Sequence, residues 1–214
     1  LHHVTGAEVT GLTLSTEQQA FATERVKKLG IADHVRFDLR DYRLESGVYE
    51  RIVSVGMFEH VGVKYYTQFF KKLKSLLAED GVAVLHTIAR WDGPSVTNPW
   101  LRKYIFPGGY TPSLSEVFAA IEPTGLQVLD VEILRLHYAE TLKHWSANFR
   151  ANRDKVKAIY DERFCRMWEF YLAGAETAFR RQDHMIAQFQ IARQQDAAPL
   201  TRDYLSDWKR TNPV

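Results

Sequence analysis

Residues 49–62 join the pattern of a buried strand to an abrupt polar end. After Arg51 the chain is apolar or small almost without interruption through Phe58, which is typical of a central parallel strand covered on both faces. Glu59 and His60 follow at once. Because the carboxyl ends of parallel strands line the ligand crevice of an open sheet, this position predicts a chemical role for Glu59. His60 is the weaker candidate, with support of the loop as its alternative role.

Strand patterns alternate with helical patterns along most of the chain. The expected strands are residues 8–14, 35–39, a third ending at Met57, 82–88, 126–136 and 185–191. Helices are expected at 16–29, from about Lys64 to Asp80, after Ser113, and over 140–182. The helix starts near Ser15 and Ser113 both have the capping-box form. The alternation predicts an α/β fold with a doubly wound, mostly parallel sheet.

Two segments break this alternation. Residues 90–112 carry prolines and aromatic residues without a period, which predicts a lid insertion over an apolar ligand; a loop packed on the core is the alternative. Residues 1–193 are expected to form one domain, and residues 194–214, with Pro199 and Pro213, a poorly ordered tail. Because Leu1 runs almost directly into strand-like sequence, an amino-terminal part of the fold is expected to be missing.

Composition excludes several classes of function. The net charge of +2 gives no global signal for nucleic-acid binding, and 45 % hydrophobic with 25 % charged residues is ordinary for a globular protein. The single cysteine, Cys165, rules out an intrachain disulfide framework and is expected to be a packed thiol, which suits a cytoplasmic location. No apolar run approaches the roughly 18 residues of a membrane span, so any membrane association is expected to be peripheral.

Five motifs together carry a family resemblance. They are Arg51–Gly62, Gly11–Gln18, Leu85–Ile88, Tyr104–Gly109 and His137–Leu142. In these motifs the chain resembles the cyclopropane-fatty-acyl-phospholipid synthases and the mycolic acid cyclopropane synthases, and the match runs in order from about Val9 to Ile191. The resemblance implies a class I methyltransferase fold, a seven-stranded sheet whose last strand is antiparallel and which here lacks its first strand, with a lid insertion and carboxyl-terminal helices.

The resemblance also implies an activity and a location. The cofactor would be S-adenosylmethionine, and the reaction methylene transfer to the cis double bond of an unsaturated phospholipid acyl chain. A carbocation would then lose a proton to a bound bicarbonate as the cyclopropane ring closes. The enzyme would be cytoplasmic and peripherally associated with the inner membrane face. A homodimer is a further expectation, and neither nucleic acid nor a metal is expected.

By resemblance the bicarbonate would be held by Glu59, His86, Tyr138 and the backbone of Ile88. The three side chains also fall at or just beyond predicted strand ends, where they can converge. His86 and Tyr138 can donate hydrogen bonds to an anion, and Glu59 can accept one. The alternatives are a satisfied core histidine for His86 and a packed ring for Tyr138.

The cofactor residues come from the same resemblance. Thr13, Leu14 and Gln18 would lie around the ribose and amino-acid end, although Gln18 could instead complete the capping box. Arg40 and Asp41 would lie at the adenine edge, where Asp41 has a turn or cap residue as its alternative.

One group of basic residues gives a weaker signal for lipid binding. A basic cluster of Arg150, Arg153, Lys155 and Lys157 could meet anionic headgroups, but such a cluster is more often a solvated face.

Two departures from the family leave other functions open. The glycine-rich cofactor loop and a site cysteine would both precede Leu1. The missing loop suggests an inactive remnant as one competing hypothesis. The other is a small-molecule N-methyltransferase of the same fold, because some plant alkaloid enzymes resemble this family and keep part of the Phe58-Glu59-His60 motif.

Overall fold

The computed structural model describes residues 1–212, which contain six strands and nine α-helices. They divide into two compact units, Leu1–Gly47 and the chain from Val48 onwards. Pro213, part of the tail expected to be poorly ordered, lies outside the described residues. The α/β class predicted from sequence is confirmed.

The first unit is a two-stranded parallel sheet with two helices. It contains α1 (His2–Thr5), β1 (Val9–Thr13), α2 (Thr16–Lys28) and β2 (Val35–Leu39). Helix α2 begins at Thr16 as predicted, because the Ser15 hydroxyl accepts the Gln18 N–H at 3.1 Å. The expected reciprocal bond of the capping box is not formed. The Gln18 side chain instead accepts from the Thr13 hydroxyl at 2.8 Å.

The second unit is built on a four-stranded sheet in the order β3-β4-β6-β5. Its strands are β3 (Tyr49–Val55), β4 (Leu77–Arg90), β5 (Gln127–Ile133) and β6 (His184–Ala192). Its helices are α3 (Tyr66–Leu76), α4 (Pro99–Tyr104), α5 (Leu114–Ile121), α6 (His137–Ala151), α7 (Arg153–Ile159), α8 (Glu162–Arg181) and α9 (Asp203–Thr211). Strands β3 and β4 are parallel, whereas β6 is antiparallel to both β4 and β5. The antiparallel last strand expected from the resemblance is therefore present.

Strand β3 is not covered on both faces as its apolar run predicted. Within the described residues it pairs with β4 alone, and Val53 and Val55 are exposed. A strand with one neighbour leaves one edge unpaired. An apolar sequence pattern indicates which side chains can be buried. In β3 some of these apolar side chains stay exposed, because the described residues do not cover them.

Two helix boundaries also differ from prediction. Helix α3 ends at Leu76 rather than near Asp80, and β4 begins immediately with Leu77. The chain folds back tightly here, and Gly81 fits only because it has no side chain. A Cβ atom at this position would lie 2.9 Å from the Leu77 side chain. The single helical run expected over 140–182 is three helices, broken near Asn152 and Tyr160, with α8 capped by the Asp161 carboxylate on the Phe164 N–H at 2.6 Å.

Two predictions about the carboxyl-terminal half of the chain also need correction. Residues expected to be poorly ordered contain helix α9, and Arg202 just before it pairs with Asp130 at 2.7 Å. Within the 140–182 run, the apolar residues at helical spacing from Ile159 to Phe179 form a stripe that predicts core packing. Ile159 is nevertheless 73 % exposed because α7 ends there. Tyr171, Leu172 and Phe179 of the same stripe are buried as predicted.

An aromatic cluster fastens the end of β3 to α3. Phe58 is fully buried, and its ring centroid lies 4.0 Å from that of Tyr66 and 5.2 Å from that of Phe69. Phe70 completes the cluster at 5.5 Å. Such pairs add stabilisation beyond the area they bury. The loop that follows β3 is therefore anchored by the residue directly before Glu59.

The 90–112 insertion packs against the protein at both of its ends. Trp100, Leu101 and Ile105 of the α4 region contact the core formed by α6, α8 and β6. At the other end the Tyr110 N–H donates to the Glu59 carbonyl at 2.8 Å. The insertion thus includes a helix, and it contacts the loop that carries Glu59.

Phe58→Ala should lower the free energy of unfolding by about 3–5 kcal/mol, because it opens a cavity in the aromatic cluster. Phe170→Ala is the matched control, since that ring is 64 % exposed and should cost below about 1 kcal/mol. Urea unfolding of both variants measures the difference. Equal losses would contradict the anchoring role given to Phe58.

Candidate active site

Glu59 replaces a missing strand contact at the end of β3. The β3–β4 pairing stops at Val55, opposite His86, and the chain turns at Gly56, whose φ is +65°. Strand β4 continues to Arg90, so the Ile88 N–H has no β3 residue beside it. The Glu59 carboxylate takes that place, with Oε1 accepting the Ile88 N–H at 2.7 Å. The backbone of Ile88, expected to contact bicarbonate, therefore holds Glu59 here through its N–H.

The second carboxylate oxygen of Glu59 is buried without a partner. Within residues 1–212 no group hydrogen-bonds to Glu59 Oε2. A buried acceptor left unsatisfied costs about 1–3 kcal/mol, and more when it is charged. Glu59 thus has one oxygen fixed by the backbone and one oxygen available to a donor that enters the site.

His86 is oriented by a residue on the neighbouring strand. Its Nδ1 lies 3.0 Å from Gln188 Oε1, and the two residues are directly opposite in the β4–β6 ladder. His86 and Ile88 are two residues apart on β4, so their side chains lie on one face of the sheet. His86 is only partly buried. It is therefore held in place without being enclosed in the core.

Tyr138 lies on the first turn of α6 rather than at the strand end itself. The turn between β5 and α6 contains Arg135 with a φ of +40°, a conformation that non-glycine residues rarely adopt. The Tyr138 ring packs against Phe179 with centroids 5.0 Å apart. Burial, and then the negative charge of Glu59, raise the pKa of Tyr138. The phenol stays protonated at neutral pH, so it is a hydrogen-bond donor near Glu59.

A second hydroxyl near Glu59 was not identified from the sequence. Tyr66 is 1 % exposed, and within the described residues its hydroxyl has no hydrogen-bond partner. Burial raises the pKa of Tyr66, with smaller contributions from Glu116, Tyr110 and Glu59. In the sequence, Tyr66 begins an apolar stripe at helical spacing that continues to Leu77, which predicts core packing. Its hydroxyl, the one polar group in that stripe, was the available signal.

His60 is the member of the Glu59 loop that stays outside the site. The residue is exposed, and its ring lies near Gly109 of the insertion. Among the hydrogen bonds of residues 1–212, none connects the His60 side chain to Glu59 or His86. The geometry agrees with the alternative role of supporting the loop.

The cofactor candidates of the first unit lie together at the carboxyl ends of β1 and β2. The Arg40 N–H donates to the Thr13 carbonyl at 3.0 Å, which extends the ladder by one step. Leu14 follows Thr13 and is 74 % exposed. Thr13 and Gln18 bond to each other, as described above. The structure thus brings these four candidates to one edge of the small sheet.

The polar groups of Arg40 and Asp41 are already paired. Arg40 bonds to Asp38 at 3.0 Å and to Glu45 at 2.9 Å. Asp41 accepts the Arg43 N–H at 2.9 Å and also the Arg43 guanidinium, which holds the pKa of Asp41 below its usual value. Asp41 therefore acts as a cap for the short turn Tyr42–Leu44, the alternative considered from sequence.

The basic cluster on α6 and α7 is largely neutralised by acidic side chains. Arg153 bonds to Glu162 at 2.6 Å and to Glu169 at 2.8 Å, and Lys157 pairs with Glu162 at 3.2 Å. Lys155 donates to Asn152 at 3.0 Å. Arg153 and Lys157 thus link α7 to α8, and the arrangement favours a structural role over headgroup binding.

Two broader features of residues 1–212 complete the description. None of their helices is long and apolar enough to cross a bilayer. Cys165 is fully buried and its thiol lies 3.9 Å from the Arg153 carbonyl, as expected for a packed residue.

The chain is similar to lipid-modifying methyltransferases. It is 41 % identical over 182 residues to a probable fatty acid methyltransferase of Pseudomonas putida, covering 82 % of this chain and 46 % of that protein. It is 37 % identical over 185 residues to the cyclopropane-fatty-acyl-phospholipid synthase of Escherichia coli K12, covering 86 % and 47 %. The chain thus spans about half the length of these curated relatives.

Solved structures agree with the fold. The cyclopropane synthase MmaA2 of Mycobacterium tuberculosis superposes with a TM-score of 0.83 at 28 % identity, covering 89 % of this chain and 72 % of that one. Mycolic acid cyclopropane synthase CmaA1, complexed with SAH and CTAB, gives 0.82 at 31 % identity, covering 89 % and 71 %. The sheet is therefore of the class I methyltransferase type. The model of the mycolic acid cyclopropane synthetase family matches residues 3–189, and the chain belongs to that family.

Proposed function

We propose that the protein containing this chain uses S-adenosylmethionine to transfer a methylene group to the cis double bond of an unsaturated phospholipid acyl chain, with closure of a cyclopropane ring. The observation that carries the proposal is the buried, unpartnered Oε2 of Glu59, together with a Tyr138 hydroxyl that stays protonated because burial and the charge of Glu59 raise its pKa. A relative named cyclopropane-fatty-acyl-phospholipid synthase supports the choice of substrate.

The residues at this sheet edge fit a small anion such as bicarbonate. Tyr138 can donate to it, and Glu59 Oε2 can accept from its hydroxyl. His86 lies on the same face of β4 as Ile88, which binds Glu59. Bicarbonate in this position would supply a base for removing a proton from the substrate. The Glu59 loop and the first turn of α6 would hold that base close to the reacting carbon.

The surroundings of Tyr138 suit a reaction that develops positive charge on carbon. Tyr138 packs against Phe179 and Trp145, and Tyr171 is a further buried ring in the same core. Aromatic faces attract a cation, and the same side chains exclude water that would quench it. Burial raises the pKa of Tyr171 to about 12, so this phenol stays neutral as well.

The first unit supplies part of a cofactor site. S-adenosylmethionine would supply an electrophilic methyl group. The exposed Leu14 side chain offers an apolar contact, and Thr13 with Gln18 offers a hydroxyl and an amide at the end of β1. Arg40 and Asp41 would contribute at the end of β2 only by exchanging partners, because both already form ion pairs.

The insertion and α8 provide a candidate surface for contact with lipid. Tyr104 and Phe106 are each 40 % exposed and Phe170 is more so, and Phe170 lies against Trp100 with centroids 4.8 Å apart. Apolar rings at a surface can enter the headgroup region of a bilayer. We propose peripheral association of a cytoplasmic enzyme with the inner membrane face through these rings; a homodimer is compatible with this arrangement.

A second candidate reaction is methyl transfer to a fatty acyl chain without ring closure. The observation that favours it is the naming of two relatives, the probable fatty acid methyltransferase above and the tuberculostearic acid methyltransferase UfaA1 of Mycobacterium tuberculosis, which is 40 % identical over 181 residues. Both candidates use the same electrophile and the same double bond. Both form a carbocation that must lose one proton: ring closure takes it from the added carbon, whereas methyl transfer alone takes it from a neighbouring carbon of the acyl chain and leaves a double bond there.

Lipid analysis distinguishes the two reactions. In cells that express the complete protein, we expect phospholipid acyl chains that gain 14 mass units and carry a cyclopropane ring, because the proposed base at Glu59 would take a proton from the added carbon. Mass spectrometry with proton NMR of the ring hydrogens measures this. Methyl-branched chains without rings would replace the proposal by the second candidate, and unchanged lipids would favour an inactive domain.

Glu59→Gln should lower turnover of the complete protein by at least ~10², because an amide cannot replace the carboxylate acceptor. The variant keeps the shape of the side chain and can still accept the Ile88 N–H. Affinity for S-adenosylmethionine, measured by calorimetry, should change little. Glu79→Gln, near the start of β4 where the Glu79 carboxylate accepts from the Gln194 side chain at 3.1 Å, is the control, and wild-type turnover in Glu59→Gln would refute the assignment.

Removal of dissolved carbon dioxide should slow the complete protein, and added bicarbonate should restore its rate. Tyr138→Phe removes the proposed donor, so its rate should require more bicarbonate for half-saturation, by roughly 10-fold for a charge-assisted hydrogen bond. Steady-state rates across a bicarbonate series measure both effects. A rate that ignores bicarbonate would exclude the anion as the base.

A further inference from the structure

A row of three polar side chains crosses the sheet from β4 to β5. His86 on β4 is directly opposite Gln188 on β6, and Gln188 is directly opposite Glu132 on β5. The Gln188 amide contacts both neighbours, with Oε1 at 3.0 Å from His86 Nδ1 and Nε2 at 2.9 Å from Glu132 Oε2. The row therefore connects a proposed site residue to a carboxylate two strands away.

The chemistry of Glu132 fixes the direction of both hydrogen bonds. A carboxylate can only accept, so the Gln188 group facing Glu132 must be its NH₂. The opposite orientation of the amide would set two acceptor oxygens against each other at 2.9 Å. With the NH₂ on Glu132, the Gln188 carbonyl faces His86 and can only accept. His86 must then carry a proton on Nδ1.

The carboxylate end of the row is itself held in place. Arg202 approaches the other oxygen of Glu132 at 3.5 Å and pairs with Asp130 at 2.7 Å. Arg202 precedes α9, the helix in the segment expected to be unstructured. The row thus has a fixed acceptor at its outer end, and each member is bonded to the next.

We propose that Gln188 and Glu132 are positioning residues that hold neutral His86 as the Nδ1–H tautomer, so that Nε2 is a hydrogen-bond acceptor directed away from β6. The two ring nitrogens of an imidazole point in roughly opposite directions. The β4 edge opposite β6 is the one paired with β3, and the loop after β3 carries Glu59. His86 Nε2 is therefore presented on the side of the sheet from which Glu59 enters.

This inference deepens the proposed function, on which it rests, by reversing the role expected for His86. A neutral His86 locked in this way accepts from a ligand and does not donate to it. Together with Glu59 Oε2 it gives the site two acceptors beside the Tyr138 donor. An anion that carries its own hydroxyl, such as bicarbonate, suits this set better than an anion that can only accept.

The tautomer can be read directly from nitrogen chemical shifts. We would record long-range ¹H–¹⁵N correlation spectra of the chain with labelled histidine, at a pH where the His86 ring is neutral, and assign His86 by the loss of its signals in His86→Gln. The expected result is a protonated Nδ1 and an unprotonated Nε2. A predominant Nε2–H tautomer, or an even mixture, would overturn the proposal.

Three variants test the cause. Glu132→Gln lets the Gln188 amide turn over, and Gln188→Leu removes it, so both should shift His86 toward a mixture of tautomers. Gln190→Leu is the matched control, because Gln190 lies two residues away on the same face and bonds to Tyr204 at 3.1 Å. An unchanged tautomer in both test variants, or an equal shift in the control, would exclude the positioning role. Backbone amide spectra establish that each variant folds.

A kinetic measurement separates this inference from the proposed function. In the complete protein, Glu132→Gln should lower kcat by ~10-fold with little change in KM for lipid, as other residues that orient a site ligand do. Failure of the proposed function would remove the activity but leave the tautomer spectra as expected. A locked tautomer with an unaffected kcat would instead show that the row is structural only, and would overturn its link to the reaction.

Discussion

The hydrogen bond from the Ile88 N–H to Glu59 is the contact on which the site depends. It forms because β4 continues past the point where β3 ends, which leaves a backbone donor without a strand partner. The strand end thus fixes one oxygen of the carboxylate. Phe58 holds the loop from one side through its buried ring, and Tyr110 holds it from the other through the Glu59 carbonyl. The position of Glu59 is therefore a property of the sheet and of the two segments that border it.

Features governed by local sequence could be predicted. Helix α2 begins at Thr16 because Ser15 caps it, and β2 occupies Val35–Leu39 as its apolar pattern indicates. The capping box at Ser113 forms in full, with Glu116 returning a bond to the Ser113 N–H at 2.9 Å. Each of these needs only neighbours within a few residues. The order of elements, and with it the α/β class, follows from the same local signals.

Features that depend on distant partners could not be predicted. The apolar run of β3 indicates how much surface can be buried, but which side chains become buried depends on the elements that pack against the faces of the sheet, and Val53 and Val55 stay exposed. The same holds for Gln188, which is 102 residues from His86 in sequence and opposite it in the sheet. In both cases the final arrangement of strands and packed elements determines which residues meet, and the sequence pattern does not contain that arrangement.

The two units differ in how fully the polar groups of their candidate site residues are satisfied. In the first unit Thr13, Gln18 and Asp41 each have a partner, so a ligand there must exchange existing bonds and gains only the difference. In the second unit Glu59 Oε2 and the Tyr66 hydroxyl are buried without partners among the described residues. A ligand that reaches them recovers a desolvation cost that folding has already incurred. Such a site favours a ligand whose donors and acceptors match its own, which is the requirement for placing a base accurately beside a substrate.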